Sequence, residues 1–288
     1  MSAGLDARHV RHAFGRAAAS YEAHAVLQAE VGTRLLERLD GIELAPERVL
    51  DVGSGPGRGA QALGARFPNA TVIALDLALP MLQAAAVHSP PKFARVGGDA
   101  QALPFSDASF DVLHSNLCLQ WCDDPGLAIA EFARVLKPGG LVLFTTFGPA
   151  TLYELRTAFA AADATPHVGR FVDMHDVGDA LLTTGFRDPV LERDDFTLTY
   201  ADALTLMREL RAIGATNADA KRQRTLTGKA HLKRVVDAYE TFRADGVLPA
   251  TYEVVYAQAR APEPGQPRRT PGGEVASFPI ERLRGTRR

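Results

Sequence analysis

Val49-Leu50-Asp51-Val52-Gly53-Ser54-Gly55-Pro56-Gly57 is the stretch that decides the fold. A short apolar run, interrupted only by Asp51, ends in glycines at alternate positions, and the helical pattern of residues 60–67 follows. This is a buried strand running into a tight turn that opens a helix. Glycine adopts positive φ and lets the backbone approach a ligand with no Cβ in the way. Taken alone, such a turn serves equally as a plain structural connection. Its neighbours decide the matter. Residues 71–77 (TVIALDL) read as a strand, and 80–88 (PMLQAAAVH) as a helix opened by Pro80, a favourable first-turn residue. Residues 93–100 and 110–116 read as strands, 125–140 as a helix stopped by Pro138-Gly139-Gly140, and 141–148 as a strand. Such alternation is the pattern of a parallel sheet covered by helices on both faces.

Further out the reading is coarser. Apolar positions at helical spacing make residues 7–39 helical, with Val31, Leu35, Leu36 and Leu39 on one face. Residues 149–171 carry no assigned element. Beyond them come a helix (172–186), a strand (189–200), an amphipathic helix (201–214), a further helix (230–246) and a β-branched, aromatic strand (250–261). The expected class is α/β: a doubly wound, mostly parallel, seven-stranded Rossmann-like sheet. A helical N-terminal cap spans residues 1–45, the core 46–200, a helical lid 201–247 and the last core strand 248–261. A Pro-, Gly- and Arg-rich tail, 262–288, is expected to be flexible.

Bulk composition excludes several classes. Hydrophobic residues make up 46% and charged residues 23% of 288 positions, ordinary globular values. A formal charge of -2 leaves no global basic field for nucleic acid or an anionic membrane, so neither is expected as a partner. No apolar run approaches the roughly 18 residues of a membrane span, and the polar first twenty residues do not read as a signal peptide. The expected location is cytoplasmic. Cys118 and Cys122 read as buried or half-buried thiols. His9, His12, His24, His88, His114, His167, His175 and His231 are scattered without metal-ligand spacing, so no metal is expected. His114 reads as a satisfied core imidazole.

The glycine turn acquires chemistry from three acids. Asp76 closes the second strand, where a carboxylate can accept both hydroxyls of a ribose. That would suit a nicotinamide enzyme equally well. Asp51 discriminates, since an acid at the mouth of the turn repels a pyrophosphate and attracts an ammonium group. Asp99, after the third strand, adds a further acceptor or a turn cap. The implied ligand has a ribose, an adenine and an amino-acid end, and no phosphate.

VLDVGSGPG, ALDL, GGDAQALPF, FDVLHSN and LKPGG, in this order across residues 46–147, resemble the motifs of the class I S-adenosylmethionine methyltransferases. The resemblance implies S-adenosylmethionine as cofactor and S-adenosylhomocysteine as product. It implies that Asp51 lies near the methionine ammonium and that Gly53, Ser54, Gly55 and Gly57 form the turn beneath methionine and ribose. Asp76 would hold the ribose hydroxyls, Leu77 and Met81 would flank the adenine, Asp99 and the Ala100 amide would meet its edge, and Asn116 would lie below the sulfonium.

Outside that core, FGRAAASYEAHAVLQ, SNLCLQWCDDP, LMRELRAIGATN and TYEVVYA resemble the malonyl-carrier-protein O-methyltransferases of the biotin pathway, extending the likeness over residues 12–260. The resemblance implies methyl transfer to the free carboxylate of malonyl-acyl carrier protein, or of malonyl-coenzyme A. An ionised carboxylate is its own nucleophile, which agrees with the lack of an evident His/Asp or Cys/His nucleophile system. Tyr21 and Gln28 would form a lid over the cofactor, with Tyr21 and Asn116 in positioning roles, although Tyr21 also fits an amphipathic core position. Trp121 either walls the acceptor pocket or anchors its loop. A carboxylate clamp calls for arginine, and Arg208 and Arg211 share a helix face. Lys221, Arg222, Arg224, Lys229, Lys233 and Arg234 form a basic run suited to docking an acidic carrier protein, with Arg282, Arg284, Arg287 and Arg288 a second such group. Competing readings are a quinone or small-molecule methyltransferase, which needs a general base, an assembly-factor or protein-modifying relative, and a nicotinamide oxidoreductase.

Overall fold

The computed structural model describes residues 4–84, 93–222, 228–263, 268–270 and 273–275. Seven strands form one sheet: β1 (Arg48–Val52), β2 (Thr71–Asp76), β3 (Ala94–Gly97), β4 (Phe110–Ser115), β5 (Leu136–Phe147), β6 (Arg187–Tyr200) and β7 (Leu248–Arg260), in the order β3-β2-β1-β4-β5-β7-β6. β1 through β5 pair in parallel, and β7 runs antiparallel to both neighbours. The sheet is thus the seven-stranded, Rossmann-like, doubly wound arrangement. Val49 to Val52 are all buried because helices cover both faces there. β6, at an edge, instead alternates exposed and half-buried positions, as a strand with one solvated face does.

Three helices precede the sheet: α1 (Ala7–Ala17), α2 (Tyr21–His24) and α3 (Val26–Glu37). Between the strands lie α4 (Arg58–Arg66), α5 (Leu79–Ala84), α6 (Pro125–Val135), α7 (Tyr153–Ala162), α8 (Met174–Thr183), α9 (Ala203–Ala212) and α10 (Lys229–Tyr239). Local sequence starts several of them. The carboxylates of Asp6, Asp124, Asp173 and Asp202 accept backbone N–H bonds at the N-termini of α1, α6, α8 and α9, satisfying donors the helix itself cannot pair. The core has two layers, one per sheet face. One gathers Leu35, Leu63, Val112, Leu143 and Tyr239, and the other Leu50, Leu75, Phe110, Leu113, Phe132 and Phe144.

The structure corrects the sequence reading in three places. The helix expected over residues 7–39 is three helices. The Ser20 hydroxyl donates to the Ala17 and Ala212 carbonyls at 3.2 and 2.8 Å, fixing the first break. Leu136 to Gly140 belong to β5 rather than to a helix end, with a register shift where Gly139 takes φ +72°. α7 occupies a segment where no element was expected. Its Glu154 sits at a fully buried position, which disguises the helical apolar pattern, and accepts from the Thr251 hydroxyl at 2.6 Å and the Thr251 amide at 3.1 Å. In the tail expected to be flexible, Arg268–Thr270 pairs antiparallel with Gly273–Val275. Among the described residues no helix is long and apolar enough to cross a membrane.

Candidate functional site

The strand order reverses direction between β1 and β4, and open α/β sheets bind ligands in the crevice beyond the strand ends at such a point. The turn after β1 lies there. Gly53, Gly55 and Gly57 take φ of +69°, +56° and +90°, and the amides of Gly53 and Ser54 donate to the Leu75 carbonyl at 2.8 and 3.0 Å. A Cβ on Gly53 would lie 2.5 Å from the Cys118 Sγ, so the loop after β4 and the turn after β1 meet with no room for a side chain.

Two clefts flank this turn. The first is bounded by α2, α3 and the start of α4, with Tyr21, Gln28, Asp51, Ser54, Gly59, His114 and Asn116 on its walls. Asp51 is only 2% exposed. Its Oδ1 accepts from His114 Nδ1 at 2.8 Å, while its Oδ2, the Ser54 hydroxyl and His114 Nε2 are buried without a hydrogen-bond partner. Gly59 admits the pair, for a Cβ there would lie 2.9 Å from the Asp51 Oδ2. His114 is therefore buried, as expected, but it is half-satisfied and bonded to the acid of the motif. Unpaired buried polar atoms are costly, and an α-amino-acid end would supply the donors and acceptors these lack.

The second cleft is lined by Val10, Phe14, Tyr21, Asp76, Leu77, Met81, Asp99, Ala100, Asn116, Cys118 and Trp121. Asp76 accepts from the Gly55 amide at 2.9 Å and the Ala78 amide at 2.8 Å. Burial pushes its carboxyl up to about 6 and the charge of Asp51 adds to the rise, while the two amide bonds oppose it. Asp99 caps its own turn, accepting from the Gln101 amide at 2.9 Å, and also faces the cleft, so the turn-cap and ligand readings describe one residue. Met81 and Ala100 are buried beside it. Acids at one end and an apolar slot at the other fit a nucleoside that carries an amino-acid tail.

Asn116 borders both clefts, but its side chain is committed. Its Nδ2 donates to the Gln28 carbonyl at 2.9 Å and its Oδ1 accepts from the Thr145 hydroxyl at 2.8 Å. The residue ties α3 to the ends of β4 and β5, and Gly32 leaves room for it.

A third cleft opens on the far side of Tyr21, which lines all three. Phe14, Trp121, Phe147, Leu155, Phe171, Leu210 and Ile213 give it apolar walls, and Gln28, Gln120, His167, Arg170, Asn217 and Asp219 are its polar members. Trp121 meets Phe14 edge-on at 5.0 Å and lines both the second and the third cleft. Arg170 is the arginine of this lining. Arg208 and Arg211 are not in it: both are exposed on the outer side of α9, and Arg208, 72% exposed, lies 3.8 Å from Asp202. The helical face they share points outward because Leu206, Leu210 and Ile213 turn inward. Arg170 stands in a segment with no periodicity to mark it, and no spacing in the sequence singles it out.

The basic run divides on inspection. Arg222 is spent on Asp6 at 3.1 Å and on the Asp219 carbonyl, Lys233 pairs with Asp237 at 2.6 Å, and Lys221, Lys229 and Arg234 are exposed. Arg224, Arg282, Arg284, Arg287, Arg288 and His88 lie outside the described residues. Two histidines expected to be scattered are brought together. Asp163 accepts from His167 Nε2 at 3.0 Å and lies 3.4 Å from His231 Nε2. All three ligand atoms fall within 4.8 Å of one another, so this trio could hold a metal. His167 also stacks on Phe159 at 4.1 Å and Arg234 contacts His231 Nδ1 at 3.4 Å, while His231 Nε2 is buried without a hydrogen-bond partner. Of the thiols, Cys118 is half-buried against Gly53 and Cys122 is buried.

Comparison with known proteins agrees with this geometry. Residues 50–144 match the family model described as a methyltransferase domain. The chain is 51% identical over 287 residues to the malonyl-[acyl-carrier protein] O-methyltransferase of Xylella fastidiosa (strain M23), covering 98% of this chain and 97% of that one. It is 47% identical over 268 residues to the protein of the same name from Gallionella capsiferriformans (strain ES-2), with 90% and 92% covered. A candidate methyltransferase structure from Bacillus halodurans C-125 superposes with a TM-score of 0.59 at 20% identity, over 81% of this chain and 99% of that one, a likeness that carries the fold alone. These likenesses cover 90% or more of the chain, and on them the chain belongs to the malonyl-[acyl-carrier protein] O-methyltransferase family.

Proposed function

We propose that this chain transfers a methyl group from S-adenosylmethionine to the free carboxylate of a malonyl thioester borne on acyl carrier protein, as a cytoplasmic enzyme. The observation that carries the reading is the junction at Tyr21. There a cleft built for an amino-acid nucleoside meets an apolar cleft that holds an arginine. The substrate named for the relatives, an acyl chain ending in a carboxylate, matches apolar walls with one arginine, the exposed Arg170, among the lining residues.

In this reading Asp76 accepts from the ribose hydroxyls, Leu77 and Met81 enclose the adenine, and Asp99 with the Ala100 amide meets its polar edge. Asp51 Oδ2 and the Ser54 hydroxyl take the ammonium and carboxylate of the methionine end, and the Gly53–Gly57 turn lies beneath. S-adenosylmethionine, when bound, supplies an electrophilic methyl group that an ionised carboxylate attacks without help from a base. The protein's own task is positioning. Arg170 holds one carboxylate oxygen by a charge-assisted bond. Tyr21 and Gln28 stand where the cofactor and acceptor clefts adjoin, and Trp121, Phe147 and Phe171 give the acceptor cleft apolar walls that disfavour water. Asn116 acts through α3, fixing the position of Gln28.

Mass spectrometry of malonyl-acyl carrier protein incubated with the chain and S-adenosylmethionine tests the reading. The expected result is a gain of one methylene mass with malonyl and none with acetyl as the acyl group. Methylation of acetyl and malonyl forms alike, or of neither while the cofactor binds, would overturn it.

A further inference from the structure

Many arginines of this protein are neutralised: Arg34 by Glu30 and Asp194, Arg66 by Asp40, Arg134 by Glu131, Arg193 by Asp195 and Arg243 by Glu240, all within 3.1 Å. Arg58, Arg170 and Arg211 are exposed without a paired acid among the described residues, but each stands apart from the others. α1 is different. Its sequence, Ala7 to Ala17, holds Arg8, His9, Arg11, His12 and Arg16 and no acid. Arg8, Arg11 and Arg16 are exposed, and no carboxylate pairs with them among the described residues. At 3.6 residues per turn the three arginines span about 140° of one helix face.

Helix stability does not explain Arg8 and Arg11, although Arg16 in the last turn does suit the helix dipole. Cations in the first turn oppose the helix dipole, which favours acids there, and like charges three or four residues apart repel. The opposite face of the same helix is part of the site: Ala7, Val10 and Phe14 line the cofactor cleft, and Phe14 also lines the acceptor cleft. α1 is pinned on the lid segment through Asp6 N–H to the Ala218 carbonyl at 2.8 Å and His9 Nε2 to the Thr216 hydroxyl at 3.1 Å. It is a fixed helix with an apolar side on the reaction chamber and an uncompensated cationic side on the solvent, in a chain whose net charge is -2.

We propose that the outer face of α1, through Arg8, Arg11 and Arg16, is the docking surface for an acidic face of the carrier protein that delivers the acyl thioester. This rests on the carrier-borne substrate proposed above. The partner is recognised by charge complementarity, and a carrier seated there presents its acyl arm beside the wall that α1 gives both clefts. The basic run of α10 is the lesser surface, since Lys233 is already neutralised by Asp237.

Steady-state kinetics on two substrates test the assignment: malonyl-acyl carrier protein, and malonyl-pantetheine, which has no protein to dock. The triple variant Arg8→Glu/Arg11→Glu/Arg16→Glu should raise KM for the carrier-borne substrate by roughly tenfold or more. It should leave kcat/KM for malonyl-pantetheine and cofactor affinity by calorimetry unchanged. The wild-type KM for the carrier should rise with salt, and the milder Arg→Gln triple should fall between. Lys229→Glu/Lys233→Glu/Arg234→Glu should change neither substrate. Equal losses on both substrates, a loss confined to the α10 variant, or salt-insensitive kinetics would overturn the docking surface. A wild type that methylates neither substrate would instead overturn the acyl-substrate reading, and docking with it.

Discussion

The cofactor half and the acceptor half of this molecule are made differently. The cofactor half is built mainly from one stretch: the turn after β1, the ends of β2 and β3, and the loop after β4 all lie within residues 51–122, with contacts largely made by backbone, and α1 to α3 add Val10, Phe14, Tyr21 and Gln28. Gly53 and Ser54 donate to the Leu75 carbonyl, and Gly55 and Ala78 donate to Asp76. The acceptor half is assembled from distant pieces, with Phe14, Trp121, Phe147, Arg170, Leu210 and Tyr252 meeting in one cleft. Its walls are side chains drawn from α1, the loop after β4, β5, α7, α9 and β7. A site framed by backbone tolerates little change, whereas one walled by side chains can be recut for another acceptor without disturbing the sheet. The difference makes the two halves separable by experiment.

The largest effect is expected at Asp76. Asp76→Asn keeps the shape and removes the charge that two ribose hydroxyls would meet. Hydrogen bonds to a charged group are worth about 1.5–3 kcal/mol, so the dissociation constant for S-adenosylmethionine should rise on the order of tenfold to a hundredfold by calorimetry. The raised carboxyl adds a pH signature. Between its unfolded value and about 6, the native chain holds a proton that the unfolded chain releases. That contribution to stability is present at lower pH and is lost as pH rises through about 6. Cofactor binding uses the ionised form and runs the other way, so affinity should fall as pH drops below about 6. This dependence should vanish in Asp76→Asn. An affinity flat from pH 5 to 8 in the wild type would contradict the ribose role.

Gly53→Ala probes the backbone-framed half. The new Cβ meets the Cys118 Sγ at 2.5 Å and the residue must keep φ +69°, so overpacking and strain together should cost about 1–3 kcal/mol in thermal or denaturant unfolding. Gly53→Ala/Cys118→Gly removes both clashing atoms, the Sγ at 2.5 Å and the Cβ at 2.6 Å, and leaves the φ strain, and should recover part of the loss. Equal stability of the single and double variants would mean that φ alone sets the cost.

How much of this was legible in the sequence follows from the same contrast. The glycine turn, Asp51, Asp76 and Asp99 stand in fixed order on consecutive strands, so strand–turn–helix periodicity locates them. The acceptor cleft has no such order. Arg170 lies between elements, and its neighbour α7 was hidden because buried Glu154 breaks the apolar pattern where Thr251 completes it. Arg208 and Arg211 invite selection because they share a helix face, but periodicity cannot say which face turns inward once Leu206, Leu210 and Ile213 compete for the core. Asp163 with His167 and His231, and Asp51 with His114, are contacts made across the fold, and spacing along the chain does not contain them.

The smallest effects sharpen the acceptor half. Arg170→Ala should raise KM for malonyl-acyl carrier protein roughly tenfold, the loss of one charge-assisted bond at a solvent-accessible site, with cofactor affinity unchanged. Arg170→Lys should restore part of it, because the charge remains while the planar fork does not. Arg208→Ala and Arg211→Ala should shift the same KM by less than about twofold, as surface changes remote from a site generally do. The three variants form one comparison. If Arg208 or Arg211 proves the larger loss, α9 must turn on its axis when substrate binds, bringing its outer face to the chamber and drawing Leu210 and Ile213 away. The acceptor cleft would then be a different cavity in the working enzyme, and Arg170 an arginine of its rim.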